Sequence, residues 1–128
     1  MGLNKPVGFT TAKLLKAKRF DEKIKHAYVN TAPFSESKDE LSEYILPQNH
    51  NKKEHRTSAP TIAEVVMWLY EKHGIWIQPF ILNKTFAWKV EEIKREITWC
   101  LFSQQDKGYN SPTKAYEAAI EHVLTKLI

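Results

Sequence analysis

Hydrophobic positions along this chain change period several times, and each change marks an element. Ser58-Ala59-Pro60-Thr61 and Ser111-Pro112-Thr113 each precede a stretch with helical spacing, and the block between those stretches is aromatic and alternating. Ile62, Val65, Val66 and Leu69 form an apolar stripe. Thr61 and Glu64 have the spacing of a capping box, in which each side chain accepts the other residue's free backbone N–H. Lys72 and His73 suit the negative end of the helix dipole, and Gly74 suits a left-handed cap. The pattern predicts a helix over 61–73.

Ile75 to Leu82 is apolar at both alternating sets of positions, which predicts a buried strand. Pro79 lacks an N–H, so that strand should lie at an edge or carry a bulge. Asn83-Lys84 suits a turn, after which Phe86, Trp88 and Val90 alternate with Ala87, Lys89 and Glu91. Residues 90–102 carry two patterns. Val90, Ile93, Ile97 and Leu101 have helical spacing, whereas Ile97, Trp99 and Leu101 alternate and Thr98, Trp99, Cys100 and Phe102 favour a strand. The alternation favours a hairpin turning near Lys94-Arg95. Asp106-Lys107-Gly108 is a turn, and Ser111 caps a last helix with Pro112 in its first position. Its inward face is Ala115, Tyr116, Ala119, Ile120, Val123 and Leu127.

The first half of the chain is patterned more weakly. Phe9 to Lys18 reads as a short helix capped by Thr10 or Thr11, with Ala12, Leu14, Leu15 and Ala17 on its apolar side. Ile24–Asn30 and Leu41–Leu46 read as strands, the second ended by Pro47, with a turn-rich segment over 31–40 between them. Gln48 to Ser58 has no apolar residue and reads as a loop with nothing to bury.

A chain of 128 residues has the length of one domain, read here as 1–47 (helix and small β element), 48–58 (polar loop) and 59–128 (helix–sheet–helix). Apolar residues at 42% and charged residues at 27% place it among globular proteins. No apolar h-region follows Met1, no run approaches the ~20 residues of a membrane span, and one cysteine forms no internal disulfide. A cytoplasmic protein without membrane association is the expectation. The net charge of +4 is unevenly spread: residues 1–30 hold seven basic side chains against two acidic, and the rest hold 12 against 13. Lys13, Lys16, Lys18, Arg19, Lys23 and Lys25 are therefore the candidate polyanion-binding residues, against the plainer reading of a solvated helix surface.

Catalytic motifs are absent from the sequence. The four glycines are isolated, which excludes phosphate-binding loops, and no HEXXH occurs. His50 and His55 are spaced wrongly for one helix face and flanked by lysines, so neither a metal nor a cofactor is expected. Cys100 lies among Trp99 and Leu101, as a core residue would. One constellation suggests recognition: Trp76, Phe80, Phe86 and Trp88 could share one side of a hairpin. That side is either a second core layer or, if open, a platform for a peptide, another subunit or stacked bases.

The segments SAPTIAEVVMWLYEKHGIWIQPF, FAWKVEEI and YNSPTKAYEAAIEHVLTKLI resemble a family of small uncharacterised proteins of Bacteroides-type gut bacteria and their phages or prophages. The resemblance is carried by Ser58 to Thr61, Trp68-Leu69, Gly74 to Ile77 and Tyr116 to Ala119, about half the chain, with Leu14-Leu15 and Phe20-Asp21-Glu22 matching more loosely. It implies a phage-type origin, no catalytic residues, and the hairpin over 90–102. The combined expectation is an α+β fold. A three-stranded antiparallel sheet is flanked by two helices in α-β-β-β-α order, after an N-terminal helix and short β element. The expected function is that of a non-enzymatic accessory or interaction protein that binds a protein or itself. The alternative is nucleic-acid binding, because this element order looks like that of the double-stranded-RNA-binding domain, although only Lys107 and Lys114 stand near the start of the last helix.

Overall fold

A computed structural model describes residues 2–30, 39–53, 55–82, 84–93, 96–101 and 111–128. Backbone contacts gather these residues into two units, 6–61 with Ile128, and 1–5 with 62–127, where the sequence suggests a single domain. The fold is mixed helix and strand, as expected.

In the unit of residues 6–61, helix α1 (Phe9–Ala17) buries Ala12 and Leu15. Its N-cap is Gly8, which makes no side-chain cap bond, so Thr10 and Thr11 fall within the first turn and are not caps. Arg19 takes the left-handed conformation (φ 64°), which lets its N–H reach Lys16 O (3.1 Å) and the Phe20 N–H reach Leu15 O (3.0 Å). This Schellman closure drops Phe20 into the core.

Strand β1 (Ile24–Asn30) has the predicted bounds and is the centre of an antiparallel sheet, with β2 (Asp39–Gln48) on one side and β3 (Arg56–Ser58) on the other. The short β element expected here is therefore a full three-stranded sheet. β2 outruns the predicted Leu41–Leu46 and contains Pro47, which does not end it. The ladder explains how. Glu43 opposes His26, but the next pair is Gln48 with Ile24, so Tyr44–Pro47 stand opposite Lys25 alone and bulge outward. A proline without an N–H is tolerated in a bulge on an edge strand.

The polar stretch 48–58 is not a free loop. It forms a 3-10 turn (His50–Lys52) and then β3. The reason is hydrogen bonding, since the stretch has no apolar side chains to bury. Asn49 Oδ1 accepts from Asn51 N (3.2 Å); Asn51 Nδ2 donates to Phe20 O (2.7 Å), and its Oδ1 accepts from Ser58 N (2.8 Å). One amide side chain thus ties β3 to the loop after α1.

The unit of residues 62–127 contains α2 (Ile62–His73), β4 (Ile75–Leu82), β5 (Thr85–Glu92), β6 (Ile97–Leu101) and α3 (Pro112–His122), the last continuing as a π-helical turn over Val123–Leu127. The three strands form one antiparallel sheet in the order β4-β5-β6, so Ile97–Leu101 is a strand paired with β5 and not part of a helix. Gly74 adopts the left-handed cap expected of it (φ 64°), and Ser111 Oγ accepts from Lys114 N (3.2 Å). Pro79 lies in the edge strand β4, as its missing N–H requires. The turns expected over 31–40, at Asn83, at Lys94-Arg95 and at Asp106–Gly108 lie outside the described residues, as does the side chain of Cys100.

Register fixes which side of this sheet is core. Ile75 pairs with Glu92, Ile77 with Val90 and Pro79 with Trp88, so these residues share a face. Ile75, Ile77, Trp88 and Val90 are buried there. The His122 ring of α3 lies 5.2 Å from that of Trp88, and α2 packs on both β4 and α3. Trp76 and Gln78 point the other way and are exposed. The strand predicted to be buried on both sides is half-buried, because both helices cover the same face.

Replacing Asn51 with Ala should cost about 2 kcal/mol, since it removes the acceptor of the Ser58 N–H and a donor to the Phe20 carbonyl. Urea unfolding followed by the tyrosines of residues 6–61 measures this, and a change below ~0.5 kcal/mol would show that the polar stretch is not clamped.

Candidate interaction surface

The aromatic quartet singled out in the sequence does not form one platform. Trp76 pairs with Glu91 and Phe80 with Ala87, whereas Pro79 pairs with Trp88 and Ile81 with Phe86. Trp76 and Phe80 therefore lie on one face of the β4–β5 hairpin, and Phe86 and Trp88 on the other. The four residues lie at positions of opposite parity across the register, which sequence spacing alone does not reveal. Trp88 is core, 3% exposed. Trp76 packs edge-on to Tyr70 (5.6 Å), and both remain exposed. The edge of the core face opens into a groove of about 490 Å³ lined mainly by Leu3, Pro79, Ile81, Phe86 and Tyr116, with burial raising the Tyr116 phenol above its ordinary pKa.

The six candidate basic residues split in a similar way. Lys13 lies over the Phe9 ring (5.2 Å), Lys16 Nζ donates to Arg56 O (2.8 Å), and Lys18 Nζ donates to Ile128 O (2.6 Å). These three are struts of their own unit. Arg19, Lys23 and Lys25 are exposed. Tyr28 is engaged locally: it donates to Val7 O (2.8 Å) and meets Phe9 edge-on (5.2 Å).

Among the described residues, the largest outward display of aliphatic surface was not anticipated. It lies on β2, where Leu41 is 47% exposed, Ile45 93% and Leu46 70%. β2 is a sheet edge, and Ile45 and Leu46 occupy its bulge. A signal was present in the sequence: Ile45, Leu46 and Pro47 are adjacent, and strict alternation can turn inward only one of two neighbours.

Behind the bulge lies a polar cluster. His50, placed in a solvated loop by its neighbours in sequence, is fully buried. Its Nε2 is 3.1 Å from Ile24 O, which can only accept, so Nε2 carries the proton. Its ring lies 4.5 Å from that of Tyr44, and the Arg56 guanidinium sits 4.7 Å from the same Tyr44 ring. Burial, followed by the Arg56 charge, holds the imidazole below its ordinary pKa, against the opposing effect of the bond to Ile24. His73 and His122 are also lowered by burial, with Lys126 adding to the effect at His122. His122 packs against Trp88.

His50 and His55 are not a ligand pair, since one is buried and the other exposed. Among the described residues no cluster of three or more His, Cys, Asp or Glu could hold a metal ion, and no helix is long and apolar enough to cross a membrane. No family model, curated protein or solved structure matches the chain.

Because the register separates the aromatic pairs, Trp88→Ala should destabilise the sheet unit by about 3–5 kcal/mol. Trp76→Ala should cost at most about 1.5 kcal/mol, the worth of its edge-on contact. Chemical denaturation of both variants checks the assignment, and equal losses would show that both indoles are core.

Proposed function

We propose that this chain is a non-enzymatic accessory or interaction protein, of the phage or prophage type its sequence resembles, and that it binds a protein partner through β2. The supporting observation is the apolar bulge: Ile45 and Leu46 project from a sheet edge at 93% and 70% exposure. Burying a side chain of this size yields roughly 1.5–3 kcal/mol, so the two together suffice to nucleate an interface. The bulge also favours one mode of binding. Its four residues have left the ladder and Pro47 has no N–H, so strand addition along this stretch is poor and recognition runs through side chains. The nearby acidic residues Glu40 and Glu43 favour a partner with an apolar pocket and basic rim.

The acidic edge also argues against nucleic acid as the ligand of this surface. Lys114, near the start of α3, is exposed, and Lys107 lies outside the described residues.

A photo-crosslinking amino acid at Ile45, used in the native host, should give a discrete protein adduct, either with another protein or with a second copy. The same probe at exposed Glu71 on α2 should give none. Leu46→Asp should abolish the adduct while leaving thermal unfolding unchanged. Adducts to nucleic acid, or equal labelling at both sites, would reject this reading.

A further inference from the structure

The bulge is braced by one side chain. His50 lies at the start of the 3-10 turn that follows β2, and its ring reaches back to both ends of the irregularity. Nε2–H donates to the carbonyl of Ile24, the β1 residue where the ladder resumes, and the ring packs on Tyr44, the first bulged residue. Gln48, which closes the bulge, is itself reached by Arg56 (Nη1 to Oε1, 3.5 Å), the group that covers Tyr44.

The brace is built for a neutral ring. With the proton on Nε2, Nδ1 is buried and has no hydrogen-bond partner among the described residues. A second proton there would find no acceptor among the described residues. Around it, β1 contributes Lys25 and His26, β2 contributes Glu43 and Tyr44, the 3-10 turn contributes Lys52, and β3 with its preceding residue contributes Arg56 and His55. Glu43, the carboxylate among these, lies 3.9 Å from His26 Nε2. The charge that acts on His50 is the like charge of Arg56.

We propose that His50 is a proton-sensitive strut: its neutral ring holds Tyr44–Pro47 against β1, and protonation expels the ring and frees the bulge that carries Ile45 and Leu46. That this regulates partner binding rests on the interaction reading above, whereas the release itself does not. The direction follows from linkage. The folded-state pKa lies below the ordinary value of 6.5, so the bulge is fully braced above pH 6.5 and loses its brace as pH falls toward the folded pKa.

His73 and His122 also lose stability in acid, so the experiment must read the bulge itself. The tryptophans all lie in residues 62–127, two of them against His73 and His122, so their fluorescence reports that unit's own response to acid separately from the bulge. NMR of the wild-type chain from about pH 8 to about pH 4.5 should show the His50 ring and the amides of 44–46 and 48 titrating with one midpoint below 6.5. His50→Gln keeps an amide donor for Ile24 and cannot titrate, so the bulge amides should become pH-independent. Arg56→Gln removes the like charge and should move the midpoint upward, which decides the matter if His50→Gln fails to fold. Bulge amides that stay fixed while the ring protonates, or a midpoint unmoved by Arg56→Gln, would overturn the proposal. Loss of the Ile45 adduct at neutral pH with the titration intact would reject the interaction reading alone.

Discussion

Each unit of this protein depends on the pairing register of one central strand. β1 and β5 are each bonded on both sides, so their alternation dictates what their neighbours bury. Moving β5 by one residue against β4 would bring Trp88 and Val90 to the exposed side and Lys89 and Glu91 into the core. A buried indole and a buried valine on one side, against a lysine and a glutamate on the other, make that slip costly. The helices reinforce the choice, because α3 brings Ala115 and Ala119 close to the sheet and sets His122 on Trp88.

In the unit of residues 6–61 the same task is done with fewer apolar side chains and more hydrogen bonds. β3 has three residues and contributes little area. What holds it is Asn51, which satisfies a backbone donor on one side and a backbone acceptor on the other. A buried backbone group left unpaired costs about as much as a lost hydrogen bond, so one well-placed amide can fix a segment that hydrophobicity would leave loose. His50 works the same way at Ile24.

This difference explains what was legible in the sequence. The helices, the exact span of β1, the β4 strand and the hairpin over 90–102 announced themselves through periodicity, caps and turn residues, which are local signals. Residues 48–58 did not, because their order comes from bonds to Phe20 and Ile24, twenty or more residues away, and nothing in QNHNKKEHRTS distinguishes a buried histidine from an exposed one. The Gly8 cap was missed because threonine is the stronger capping residue, yet the extended backbone at Gly8 starts the helix at Phe9, before either threonine. The aromatic quartet was misjudged because alternation within a strand is visible in sequence while register between strands is not.

An exposed bulge at a sheet edge answers two opposing demands. A regular ten-residue edge with Leu41, Ile45 and Leu46 would invite pairing with any extended chain. Breaking the ladder at Tyr44–Pro47 removes much of that template, and the acidic residues at the other end of β2 discourage a second copy from aligning there in parallel. The apolar side chains nevertheless stay in solvent, where their exposure carries no benefit to the isolated fold. A bulge that only protected the edge would serve equally well with polar residues at 45 and 46, so the choice of isoleucine and leucine points to contact with something else. The site behind it is consistent with that assignment, because bracing an irregular strand with a buried imidazole gives the display a single geometry while leaving it one proton away from release.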